Sequence, residues 1–85
     1  MVIETFTKGA RAVYERAAER GRMLPTGLTY IDSWIEAETL GRCFQLMETE
    51  DAALFDAWLK GWNDLGAFEI VPVISSSEAA RQALW

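Results

Sequence analysis

The chain contains no histidine and a single cysteine, Cys43. Without histidine, no Ser–His or Cys–His nucleophilic pair and no proximal haem histidine can be built from these residues. One cysteine excludes an internal disulfide and a zinc site of Cys and His ligands, and it fits a reducing compartment. Cations are also scarce: eight Lys and Arg, scattered along the chain, face thirteen Asp and Glu for a net charge of −5. That balance argues against nucleic acid and against an anionic membrane as partners. No apolar run approaches the ~20 residues of a membrane span. The opening MVIETF lacks the basic region and long apolar stretch of a signal peptide, so a soluble, cytoplasmic protein is expected. The glycines are dispersed, so there is no phosphate-cradling loop. Neither a metal nor a cofactor is expected.

What is present organises around Leu28–Thr49. Two extended runs, one from Tyr30 to Ala37, in which Tyr30, Asp32, Trp34 and Glu36 alternate with Ile31, Ser33, Ile35 and Ala37, and one from Arg42 to Thr49, flank the short Glu38–Gly41 connection. Strand side chains alternate between faces, and β-branched and aromatic residues favour a strand in the first run. An antiparallel hairpin follows, with Gly41 expected to take the positive φ of the reversal. Ile31, Ile35, Phe44 and Leu46 form the set expected to lie beneath helices. Tyr30, Asp32, Trp34, Cys43, Gln45 and Met47 form the second face, too aromatic for water and too polar for an ordinary core.

Val2–Phe6 reads as a first strand, with Val2, Glu4 and Phe6 on one side and Ile3 and Thr5 on the other. Thr7 is a candidate cap for a helix through Ala10, Val13, Tyr14, Ala17 and Ala18, and Gly21 is its stop. Asp51 is expected to cap a second helix, in which Leu54, Phe55, Trp58, Leu59, Trp62 and Leu65 lie within about 140° of one another. Gly66 ends it. Phe68–Ile74 reads as a last strand, with Pro72 implying an edge or a bulge. Ser75 and Glu78 match a capping box for a short helix through Leu84, after which Trp85 needs a surface to rest on. Residues 1–85 thus form one domain of order β-α-β-β-α-β plus a tail helix: an α+β, ferredoxin-like plan with a four-stranded antiparallel sheet and two helices on one face. The open face is expected to carry Glu4, Tyr30, Asp32, Trp34, Cys43, Gln45, Met47, Glu69 and Val71, although a single bulge would reverse the parity of an outer strand. A chain of this size buries roughly 60–65% of its extended surface, so covering that face with a second copy would help it.

The strings GRMLPTGLTYIDSWIEA, RCFQLMET and LFDAWLKGWNDLGAFEIVPV are similar to a family of short uncharacterised bacterial proteins catalogued as a domain of unknown function. That family resembles a branch of the dimeric α/β barrel superfamily, in which two ferredoxin-like sheets face each other. The resemblance implies a homodimer. It also implies a range of roles, among them cofactor-independent monooxygenases, haem-degrading enzymes and lactone isomerases, between which a fold does not choose.

The residues with chemical potential are carboxylates and aromatic rings. Glu4, Asp32, Glu48 and Glu69 lie on strands; a buried one, Glu4 or Glu48 foremost, would have a raised pKa suited to acid–base work. The alternative is that they stand at strand ends or pair with Arg22 or Arg42. Tyr30 and Trp34 would stack on a flat ligand or fill an interface. Gln45, if buried, needs a partner, and Met47 either lines the same site or simply packs. Cys43 has no neighbouring cation on its own face and reads as an inert thiol. The expected function is binding of a small apolar or aromatic molecule by Tyr30, Trp34, Gln45 and Met47, in a sheet–helix or dimer-interface cavity. One alternative is a cofactor-independent monooxygenase or isomerase using a carboxylate; the other is a ligand-free structural homodimer.

Overall fold

A computed structural model of the chain describes residues 1–84; Trp85, expected to rest against a surface, lies outside the described residues. The element order is β1 (Val2–Phe6), α1 (Ala10–Arg20), β2 (Thr29–Ile35), β3 (Arg42–Glu48), α2 (Ala53–Leu59), β4 (Gly66–Ile70) and α3 (Ser76–Leu84). The strands form one antiparallel sheet in the order β2-β3-β1-β4, consistent with the ferredoxin-like fold. β1 lies inside the sheet, so its side chains have neighbours on both flanks.

Local chemistry sets the ends of the elements. α1 is rich in Ala, Arg and Glu, all good helix formers. It stops at Gly21, whose φ of 66° no side chain opposes and whose N–H donates to the Ala17 carbonyl. At its other end Gly9, not Thr7, is the cap residue, and no side chain caps it. Asp51 does serve the start of α2: its carboxylate accepts from the Ala53 N–H at 3.0 Å. α2 itself closes at Leu59, earlier than the periodicity implied, and the chain continues to Leu65 through three-residue turns such as Trp62 N–H to Leu59 C=O. Gly61 weakens the helix here, and Met23 packs over it; a Cβ on Gly61 would meet the Met23 Cε at 3.0 Å. The apolar stripe nonetheless survives, with Trp58, Trp62 and Leu65 all buried.

β4 begins at Gly66 rather than Phe68 and ends before Pro72, on the edge of the sheet as that proline required. Ahead of α3, the Ser75 hydroxyl accepts from the Glu78 N–H at 3.1 Å, one half of the expected capping box. In the hairpin, Leu40 rather than Gly41 takes the left-handed conformation, at φ 52°. The Gly41 N–H is instead held by the Thr39 hydroxyl at 3.0 Å, and its carbonyl accepts from the Phe6 N–H.

The two faces of the sheet differ from expectation. Glu4 stands opposite Cys43 and Phe68, and Val2 opposite Gln45 and Ile70, so these residues share one face. It is the face covered by Val13 of α1 and by Trp58 and Trp62, together with the core residues Met47, Leu28 and Leu65. Glu4, Cys43, Gln45 and Met47 therefore lie beneath the helices, and Phe44 and Leu46 lie on the open face. In β2 the register shifts between Tyr30 and Asp32. This bulge leaves Tyr30 opposite Met47 on the helix side and puts Asp32 and Trp34 on the open side, opposite Leu46 and Phe44. Across the open face Trp34, Phe44 and Ile3 make a row ending at Glu69. Trp34 and Ile31 remain 52% and 49% exposed.

Candidate functional site

Between the sheet and the helices lies a cavity of about 210 Å³. Glu4, Cys43, Gln45 and Ser33 supply its sheet wall, and Val13, Tyr14 and Ala17 of α1 form one side. Trp58 and Trp62 form the other, and Phe6 and Arg22 complete the lining. Tyr14 meets Phe6 edge to face at 6.5 Å, which holds the α1 side against β1. The opposite wall is tied to the loop before β2. Both indole N–H groups donate to the Arg22 carbonyl, Trp58 at 2.8 Å and Trp62 at 3.2 Å. The Arg22 guanidinium then stacks 3.5 Å over the Tyr30 ring, whose hydroxyl shares a 2.6 Å hydrogen bond with Ser33. Arg16 braces the same corner from α1, bonding the Gly61 carbonyl at 2.9 Å and both oxygens of Asp64.

Glu4 is the chemical centre of this wall. It is only 3% exposed, and its Oε2 is enclosed without a hydrogen-bond partner. Burial destabilises the charged form and pushes its carboxyl up to about 7. Burial likewise raises the Cys43 thiol to about 11, with the Glu4 charge adding to the effect, so Cys43 is a protonated and unreactive thiol. Tyr14 is also raised, first by desolvation and then by the nearby Cys43 and Glu4. A carboxyl poised near neutrality can give or accept a proton at ordinary pH.

Room for that carboxyl depends on Gly66. A Cβ there would stand 2.9 Å from Glu4 Oε2 and 3.0 Å from the Thr5 carbonyl. Gly66→Ala is expected to cost about 1–3 kcal/mol through overpacking, read as a lower urea midpoint. The loss should shrink in a Glu4→Ala background, where two of the close contacts vanish. An equal loss in both backgrounds would place the strain at the Thr5 backbone alone.

Of the residues singled out by sequence, Glu4 and Gln45 meet in the cavity wall, and Tyr30 stands behind Ser33 and Arg22 at its edge. Met47 is core, and together with the exposed Glu48 it borders a broader, shallower depression near Phe55 and Val71. Trp34 is on the other side of the sheet. Tyr14, Arg22, Trp58 and Trp62 were not among the expected site residues. Trp58 and Trp62 read only as helix stripe, and nothing local in the sequence marks the loop arginine. Among the described residues no group of three or more Cys, Asp or Glu is placed to hold a metal ion, and no helix is long and apolar enough to cross a membrane.

The family model for a domain of unknown function (DUF3303) matches residues 1–84. No curated protein and no solved structure matches the chain.

Proposed function

Since the chain belongs to this family of domains of unknown function, which brings no reaction with it, we propose from the site alone that it binds a small, flat, largely apolar molecule in the sheet–helix cavity. Glu4 supplies the hydrogen-bonding contact. The observation that carries this reading is the partnerless Oε2 of Glu4 in a wall made mostly of aromatic and small side chains, with Gln45 and Arg22 as its other large polar members. Leaving a buried polar atom unsatisfied costs about 1–3 kcal/mol, and stability alone gives no reason to keep it. The cavity, at about 210 Å³, exceeds the roughly 150 Å³ that suffices for benzene in an apolar core. A second reading, an isomerase or oxygenase working without a cofactor, is favoured by the carboxyl pushed up to about 7. In it Glu4 moves the proton and Gln45 places the substrate; Glu48, exposed and outside the cavity, drops out.

The proposal includes a homodimer paired through the open face. Its support is the apolar row of Trp34, Phe44 and Ile3 with the exposed Ile31 beside it. In a dimer formed that way the cavities stay outside the interface, one per chain. Native mass spectrometry on freshly purified, untagged protein tests both parts. The expected species has twice the 9.6 kDa chain mass and carries up to two small-molecule adducts. A monomer at micromolar concentration overturns the pairing. Binding is tested separately by titrating phenol into adduct-free protein and following tryptophan fluorescence. An unchanged signal, together with no heat in calorimetry, overturns the cavity reading.

A further inference from the structure

We infer that the cavity takes an aromatic carboxylate bearing a hydroxyl at its far end, the carboxylate pairing with the Arg22 guanidinium at the mouth and the hydroxyl meeting Glu4 at the closed end. This rests on the binding reading above and adds the class and orientation of the ligand.

Arg22 is the first support. The chain has six arginines, and Arg11, Arg16, Arg20, Arg42 and Arg81 each pair with a carboxylate. Arg22 has no such partner among the described residues, although acidic side chains outnumber basic ones. It is nonetheless held in place. Two indoles bond its carbonyl, and its guanidinium carbon sits 3.5 Å from the Tyr30 ring centroid. An arginine positioned by a ring and by its own backbone, whose N–H groups have no carboxylate to bond, is prepared for a carboxylate from outside.

The placement of charge is the second support. Among the described residues, Glu4 and Arg22 are the only two ionisable groups in the wall besides Cys43 and Tyr14. Arg22 lies over Tyr30 of β2, whereas Glu4 stands on β1 with its carboxyl directed toward Gly66 of β4. β3, which carries Cys43 and Gln45, runs between β2 and β1, so the two charged groups stand toward opposite ends of the sheet wall. Trp58, Trp62 and Phe6 supply flat apolar surfaces along that path, suited to a ring. A ligand with an acid at each end would set a charge against the enclosed Glu4, and one with a cation at the mouth would face Arg22. A hydroxyl at the closed end avoids both penalties.

Calorimetry with four probes tests this: phenol, benzoate, 4-hydroxybenzoate and the longer 6-hydroxy-2-naphthoate. One of the two hydroxy acids should bind about tenfold more tightly than phenol, the scale of one charge-assisted hydrogen bond. Arg22→Gln, at an exposed side chain whose backbone bonds are untouched, should erase that advantage, so that within the variant neither hydroxy acid binds more tightly than phenol. Glu4→Leu should erase the advantage of 4-hydroxybenzoate over benzoate and leave the Arg22 effect intact. Phenol binding with no gain from either hydroxy acid, or a gain that survives Arg22→Gln, overturns the inference and leaves the cavity reading standing. Failure of all four probes overturns the cavity reading, and the inference falls with it.

Discussion

Replacing Glu4 with glutamine is expected to stabilise the protein at about pH 8 and to flatten its stability across the neutral range. The folded carboxyl titrates at about 7, against 4.5 when free. Between those values the folded chain keeps a proton that the unfolded chain has released, so raising the pH favours unfolding. The stability linked to Glu4 is complete below 4.5, is lost as the pH rises through about 7, and changes no further above that. The gap corresponds to about 3 kcal/mol. Glutamine cannot ionise, but its buried amide NH2 needs an acceptor of its own, so the gain at pH 8 should be nearer ~2 kcal/mol. The other titratable groups facing the cavity leave the window clear. The Cys43 thiol is pushed to about 11 and Tyr14 is raised, both away from the neutral range. Urea unfolding of both proteins at several pH values decides the matter. A wild-type midpoint that is level between pH 5 and about 8, or a glutamine variant with the same slope, would sink the assignment. The direction is informative in itself: the fold is held below its attainable stability by a group that belongs to the cavity.

Trp58→Ala should be the most damaging single change, at about 4 kcal/mol. The indole is 4% exposed, packs edge to face on Phe68 at 6.3 Å, and bonds the Arg22 carbonyl. Against a total of roughly 4–13 kcal/mol for a chain of this length, that loss leaves a protein partly unfolded at physiological temperature. Trp58→Phe should cost far less, about 1–2 kcal/mol, because a ring remains and Trp62 still donates to the same carbonyl at 3.2 Å. Replacing both tryptophans with phenylalanine removes the last donor, and its cost should exceed the sum of the two single changes. Additive costs would mean that the carbonyl finds another partner.

All seven elements and their order were legible in the sequence, because most announce themselves locally: alternation in Val2–Phe6, helix formers in Ala10–Arg20, Gly21 as a stop. Gly66, expected to end the second helix, instead opens β4, since α2 already closes at Leu59. The site was legible only in its residue types. In β3 the two alternating sets, Phe44 with Leu46 and Cys43 with Gln45 and Met47, differ little in hydrophobicity. The polar Gln45 pointed its own set outward, whereas tertiary packing turns that set beneath the helices. Glu4 followed the same error, although it lies between Val2 and Phe6 on their shared side. An acid flanked at both second neighbours by large apolar residues was the available signal. The contribution of Arg22 depends on which carbonyl two distant indoles reach, and no spacing rule encodes that.

The bulge between Tyr30 and Asp32 divides β2 into two reading frames. Upstream of it the strand serves the cavity through Tyr30; downstream, Trp34 serves the outer surface and Ser33 the inner one. An alignment to a related chain without the extra residue that opens no gap at Ile31 would exchange inside for outside for the rest of the strand. Substitutions tolerated at Trp34 would then be scored as changes to the pocket. A one-residue deletion at Ile31 would remove the bulge and restore plain alternation, leaving Tyr30 and Ser33 inward and Asp32 and Trp34 outward with the same partners on β3.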